Sequence, residues 1–323
     1  MKTLLSVKNL KVNFYTSAGT VKAVDGISFE IAKKEIFALV GESGCGKSTT
    51  ALAIMRLVPY PGKIVEGEIL FKNKNLLNAS EEEMARIRGK EISMIFQNPL
   101  TSLNPVYRVG HQVAEAIVLD NIPKKEAWRK VVELFRNVKI PDAEERVYSY
   151  PHELSGGMRQ RVMIGMMISR EPSLIIADEP TTALDVTIQA QIIKLLAELR
   201  DTLETSILLI THDFGVVAEL ADRIAVMYAG KIVEMGDVYQ IFENPLHPYT
   251  GMLIDALPRI TKREGRLEEI PGSVPNLVNP PPGCRFHPRC PLKKEICQMK
   301  EPSLVEIEKG HFVACHLYGG EKA

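Results

Sequence analysis

The sequence predicts an α/β fold built on a mainly parallel sheet, and three observations carry that reading. Short β-branched runs alternate with helical patterns through most of the chain. One such run leads straight into a Gly-rich turn and a helix, and another ends in two adjacent carboxylates. The expected strands are Ile36–Val40, Ile92–Phe96, Leu174–Ala177, Ile207–Ile210 and Ile224–Tyr228. Two helices follow from apolar residues at helical spacing. One runs from Ile188 to Leu203 through Ile192, Leu195, Leu196 and Leu199, the other from Lys124 to Val138 through Trp128, Val131, Val132 and Phe135.

From about Phe96 to Ser155 the strand pattern stops and helices with loops such as Asn98–Pro105 take over, as an insertion in an α/β core would. After about Gly236 the composition shifts again. Between Pro271 and Pro291 prolines are too frequent for regular helix or central strand. The domains expected are therefore 1–236, with a helical part at about 97–157, and a small irregular C-terminal domain at 237–323 that carries a metal site.

Composition narrows the function. The 323 residues hold 40 Lys and Arg against 40 Asp and Glu, a balance that argues against a strongly basic nucleic-acid binder. The length suits one large domain with an appendage. No apolar run reaches the roughly 18 residues needed to span a bilayer, and the start Met1–Lys8 is too short and interrupted for a signal peptide. A cytoplasmic protein is expected. Of five cysteines, Cys45 stands alone, while Cys284, Cys290, Cys297 and Cys315 fall in the tail. In a reducing compartment four clustered thiols point to metal rather than to disulfides.

The Gly-rich turn, Gly41-Glu-Ser-Gly-Cys-Gly-Lys-Ser48, has the pattern G-x-x-x-x-G-K-S between a strand and a helix. Its glycines let successive N–H groups turn inward, making an anion-binding nest at a helix N-terminus. Lys47 is expected to reach the β- and γ-phosphates of ATP, and Ser48 to ligate Mg²⁺. Gly41, Ser43, Gly44, Cys45, Gly46 and Thr49 complete the expected nucleotide contacts, with Cys45 a small filler rather than a reactive thiol.

The run Leu174–Ala177 ends in Asp178 and Glu179. Adjacent strand residues point to opposite sides, so the two carboxylates take different roles. Asp178 is suited to hold Mg²⁺ through water, and Glu179 to polarise the water that attacks the γ-phosphate. His212 and Gln97 follow other strands in the same way. The histidine is placed to sense the γ-phosphate, and the carboxamide to bind both Mg²⁺ and the attacking water.

Leu154-Ser-Gly-Gly-Met-Arg-Gln-Arg161 resembles the signature motif of the ABC transporter ATPases, usually Leu-Ser-Gly-Gly-Gln, in the expected order after Gln97 and before Asp178. The resemblance covers roughly residues 1–240 and includes Thr181–Asp185 as the D-loop and His212 as the switch histidine. It implies a P-loop NTPase (RecA-like) core with an antiparallel β subdomain and a helical signature subdomain. It also implies two ATPase subunits packed head to tail, with each ATP between the phosphate loop of one and Ser155, Gly156 and Gly157 of the other, and with Asp185 nearby. Met158, where Gln is usual, is similar to one of the two ATPase subunits of peptide importers. For adenine the family uses an aromatic ring in the first strand region, where Phe14 and Tyr15 are the candidates and spacing favours Phe14.

Asn244–Thr250 and Pro280–Cys284 resemble the C-terminal extension of the dipeptide, oligopeptide and nickel importer ATPases. The function implied is ATP-driven import of di- or oligopeptides, with oligosaccharide or nickel as other cargo and a soluble non-transport ABC ATPase as a more distant reading. The partners implied are a second, non-identical ATPase subunit, two membrane permeases and an extracytoplasmic binding protein, with this chain on the cytoplasmic face of the membrane. The spacing Cys-x5-Cys-x6-Cys-x17-Cys is wider than in zinc ribbons, although His287, His311 and His316 lie close in sequence. A [4Fe–4S] cluster is expected there, with Zn²⁺ or unligated thiols as alternatives.

Overall fold

The computed structural model describes residues 2–97, 103–182, 185–257 and 270–318. Residues 98–102 of the expected loop, Ala183 and Leu184 of the D-loop, and parts of the C-terminal region lie outside them. The chain folds into two compact units, Met1–Asn78 with Leu209–Ala323, and Ala79–Leu208.

In the first unit the long strands Thr3–Thr16 and Gly19–Ala32 pair antiparallel, with Leu5 opposite Ile31 and Val12 opposite Val24, and Thr3–Thr16 also pairs with Gly62–Phe71. Period-2 burial of Ile27, Phe29 and Ile31 against exposed Ser28 and Glu30 gives this stretch of the sheet one apolar face. Ile36–Val40 is buried at all five positions, as an unbroken apolar run in a parallel sheet should be, and lies parallel to Arg223–Tyr228. The latter turns back antiparallel into Lys231–Asp237.

The tail is less irregular than its prolines suggest. His311–Val313 pairs antiparallel with Lys231–Asp237, and Val305–Glu308 pairs in turn with His311–Val313. Strands of three and four residues are too short to register as a period-2 pattern. Tyr249, Leu277 and Phe286 join the same buried cluster as Val40, Val226 and Tyr228. The rings of Tyr228, Tyr249 and Phe286 meet with centroids 4.7–5.2 Å apart, within the range for edge-to-face aromatic contact.

The second unit pairs Ile92–Ile95 parallel with Leu174–Asp178 and surrounds the pair with helices, among them Val109–Val118, Lys124–Asn137, Gly156–Ile168 and Val186–Leu203. The buried stripe of Lys124–Asn137 is Ala127, Val131 and Phe135, and that of Val186–Leu203 is Ile192, Ile193, Leu195, Leu196 and Leu199. Both faces agree with helical spacing. No described helix is long and apolar enough to cross a membrane.

Candidate functional site

The loop after Ile36–Val40 is shaped by two glycines that no other residue could replace without a clash. Gly41 has φ 150°, and a Cβ there would stand 2.1 Å from the Met227 carbonyl oxygen; Gly46 has φ 106°, and its Cβ would meet the Ala23 carbonyl oxygen at 2.3 Å. Gly44, at φ 80°, has open space around it, so only its backbone angle calls for glycine. Gly46 caps the helix Lys47–Ile54 without a side-chain hydrogen bond, leaving the first-turn N–H groups as anion donors. Thr49 is half-buried in that first turn and Ser43 is exposed.

Lys47 is buried, and its ammonium donates to the carbonyls of Gly41 at 2.7 Å and Glu42 at 3.0 Å. Cys45 is fully buried, with its thiol pushed up by burial, and its carbonyl accepts from the Gly230 N–H at 2.9 Å. Glycine cradle, uncapped helix start and buried cation make a donor set suited to phosphate, and Ser48 adds a hydroxyl in the helix's first turn.

His212 follows the strand Ser206–Thr211 and is exposed. The next residue, Asp213, caps Phe214–Leu220 by accepting from the N–H groups of Gly215 and Val216. Of the two aromatic candidates, Phe14 is half-buried with its ring against Gly62, where an added Cβ would lie 2.7 Å from the ring. Tyr15 is 48% exposed. Burial thus favours Tyr15 as the ring with a face to offer, against the lean toward Phe14 from spacing.

In the second unit Leu174–Asp178 delivers Asp178 buried at its end. Glu179 is not a continuation of the strand. Its φ of 47° turns the backbone into the left-handed region, so strand alternation does not extend to Glu179. Gln97 Nε2 donates to Glu179 Oε2 at 2.8 Å, and Thr182 Oγ1 donates to the same oxygen at 2.9 Å. The Gln97–Glu179 contact joins two expected site residues, whereas Thr182 was missed, since a hydroxyl three positions past a carboxylate carries no sequence signal of its own.

Ser155 caps the helix Gly156–Ile168 and accepts from the Met158 N–H at 3.3 Å. Ser155 is exposed, Gly156 half-buried and Gly157 buried against Ile188, whose methyl would lie 2.8 Å from an added Cβ. Asp185 caps Val186–Leu203 through the Ile188 N–H at 2.9 Å, so the contact at Gly157 links the two helix starts.

The tail cysteines are free thiols. Burial pushes Cys284 up to about 11, with the nearby Cys297, Cys315 and Cys290 adding to the rise, and burial raises Cys290 and Cys315 in the same direction. Each sulfur has a backbone N–H neighbour, from Phe286, Leu292, Lys294 and Leu317 for Cys284, Cys290, Cys297 and Cys315 in turn. Among the described residues no group of three or more His, Cys, Asp or Glu is arranged to hold a metal ion. The expected ready-built metal site, whether for zinc or iron–sulfur, is thus not seen among the described residues, and burial favours the protonated form of Cys284, Cys290 and Cys315. The neighbouring histidines are engaged elsewhere. His311 Nε2 pairs with Glu234 at 2.8 Å, His316 with the Lys300 carbonyl at 2.7 Å, and His287 with the Cys284 carbonyl at 2.9 Å.

Residues 24–182 match the family model described as ABC transporter, and residues 233–297 match that of the oligopeptide/dipeptide transporter C-terminal region. The chain is 51% identical to the oligopeptide transport ATP-binding protein AppD of Bacillus subtilis (strain 168), over all of this chain and 99% of that one. It is also 51% identical to the dipeptide transport ATP-binding protein DppD of the same organism, covering 98% and 95% of the two chains. Among solved structures it resembles a dimeric post-hydrolysis state of an ATP-binding cassette bound to ADP and Pi, with a TM-score of 0.66 and 25% identity over 73% of this chain and 99% of that one.

Proposed function

The chain belongs to the ABC transporter ATP-binding family, and from that premise we propose how its residues work as the ATP-hydrolysing subunit of a peptide importer. The observation that carries the cargo class is likeness over nearly the whole chain to dipeptide and oligopeptide transport ATP-binding proteins, including the C-terminal region particular to such transporters. ATP hydrolysis is coupled to transport, and an importer of this kind works with membrane permease subunits. The finer partners are a non-identical ATPase subunit and an extracytoplasmic binding protein, with this chain on the cytoplasmic face of the membrane.

In this reading residues 1–236 form the nucleotide-binding domain and 237–323 its extension. Lys47 and the first N–H groups of Lys47–Ile54 hold the phosphates, and Tyr15 offers its ring to adenine. Ser48 and Asp178 are each of the hard-oxygen type that Mg²⁺ takes, and the ion would offset charge on the phosphate oxygens. Glu179 orients and polarises the attacking water, with Gln97 and Thr182 both holding its Oε2. His212 lies at a strand end from which a ring can sense the γ-phosphate. Ser155, Gly156 and Gly157 present helix-start N–H groups to the ATP of a partner subunit, with Asp185 bracing them through Ile188.

Glu179→Gln in the assembled transporter tests this reading. Turnover is expected to fall by about 100-fold or more while ATP is still bound and dimers accumulate. Uptake of a labelled dipeptide should stop with it, and uptake of a labelled oligosaccharide or nickel should not depend on this chain. Near-normal turnover would remove Glu179 from the role.

The four cysteines would hold a [4Fe–4S] cluster as a structural brace for the tail. Support comes from four free thiols, each beside a backbone N–H. Anaerobic protein that absorbs at about 400 nm and contains iron is the expected result; colourless protein with stoichiometric zinc would overturn it.

A further inference from the structure

Glu42, the second residue of the phosphate loop, is held twice by the C-terminal region. Its backbone N–H donates to the Tyr249 hydroxyl at 3.0 Å, and its carboxylate accepts from Arg289 Nη1 at 2.7 Å and Nη2 at 3.1 Å. Arg289 is built for that contact. Its side chain is only 5% exposed against 28% for Glu42. Its other hydrogen bonds run to the Pro271 carbonyl at 2.8 Å, the Ile270 carbonyl at 3.3 Å and the Tyr228 hydroxyl at 3.4 Å, so all five guanidinium donors have acceptors.

A carboxylate is out of place in a loop that binds anions. Left alone, Glu42 would repel a triphosphate seated on the nest whose carbonyls already engage Lys47. A buried arginine 247 positions downstream cancels it. A second arginine of the same segment, Arg285, bonds Asp25 and the Ala229 carbonyl, tying the tail down at a second point next to Cys284.

We propose that Arg289 is a positioning residue for nucleotide binding: by neutralising and anchoring Glu42 it makes the anion-binding form of the phosphate loop depend on the C-terminal extension. This rests on the reading of Gly41–Ser48 as the phosphate loop. The segment Cys284–Cys290 is thereby part of the nucleotide site's scaffold as well as a subfamily appendage.

The test is equilibrium titration of the full chain with a fluorescent ATP analogue and Mg²⁺, with thermal melts alongside. Arg289→Gln should weaken binding on the order of tenfold by exposing an unpaired carboxylate. Arg289→Lys, which keeps the charge but not the fork, should fall between it and the parent. Adding Glu42→Gln to Arg289→Gln should restore most of the affinity, because it removes the repulsion the arginine had masked. A purely structural bridge predicts the reverse, with the double variant no better than Arg289→Gln, and that result overturns the proposal. Should Arg289→Gln fail to fold, the double variant still decides, since it is expected to bind nearly as the parent does. A parent protein that binds no ATP sinks the phosphate-loop reading itself, whereas a parent that binds and an Arg289→Gln variant that binds equally well sinks only this inference.

Discussion

The phosphate loop and the segment around Glu179 are held by different kinds of force. Gly41–Ser48 is fixed by backbone: two glycines in contact with the carbonyls of Met227 and Ala23, a buried Lys47 and a cap without a side chain. The Glu179 segment turns on a left-handed residue and is aimed by side-chain hydrogen bonds from Gln97 and Thr182. Backbone packing gives a binding surface that exists before the ligand arrives, whereas two hydrogen bonds of about 1.5–3 kcal/mol each can be remade when the ligand changes. On the proposed function, an ATPase that both holds and hydrolyses ATP makes use of both kinds of support.

The sharpest break in this contrast is Gly46→Ala. A Cβ at 2.3 Å from the Ala23 oxygen and 2.7 Å from the Met227 methyl, on a backbone with φ 106°, cannot be relieved by a rotamer change. The expected cost is about 2–4 kcal/mol of stability together with loss of nucleotide binding. Thermal melts and analogue titration on the same protein read both. A variant that binds normally would mean the loop is softer than its contacts imply.

A second difference is in pH response. The loop's support runs through Tyr249 to His247, whose Nδ1 accepts the Tyr249 N–H at 3.1 Å, and burial holds His247 down to about 3. The fold takes the neutral ring, so the unfolded chain protonates first. Stability from this group is fully present above about pH 6.5 and is lost as pH falls from there toward 3. At pH 5 the loss is about 2 kcal/mol, on the order of 1.5 pH units below the ordinary histidine value. Denaturant midpoints at pH 7 and 5 should separate in the parent and converge in His247→Asn, which keeps an acceptor without a titrating ring. Equal separation in both would place the pH response elsewhere.

The strands and the phosphate loop were legible because they depend on neighbours in sequence. Ile36–Val40 is the strand expected, and Leu174–Asp178 and Ser206–Thr211 extend their predicted runs by one or two residues. What pairing over distance decides was hidden. The acceptor of Arg289 lies 247 positions away, and His311–Val313 joins the sheet by pairing with the distant Lys231–Asp237 as well as with its neighbour Val305–Glu308. The reversal at Glu179 was hidden for a different reason: strand alternation assumes extended backbone through both carboxylates, and Glu179 leaves it with a φ of 47°. Spacing likewise pointed to Phe14, and only packing against Gly62 leaves Tyr15 as the exposed ring.

Thr182→Val makes the smallest and most discriminating change. Valine keeps the shape of threonine, so the backbone bond from the Thr182 N–H to the Glu179 carbonyl at 3.2 Å is retained and only the hydroxyl donor to Oε2 is lost. One neutral-to-charged hydrogen bond is worth about 1.5–3 kcal/mol at most, and Gln97 still grips the same oxygen. Turnover should therefore drop by roughly threefold to tenfold with nucleotide affinity unchanged. Loss of affinity instead of turnover would mean that this segment supports binding as the phosphate loop does, and the division between a preformed surface and an adjustable carboxylate would not hold.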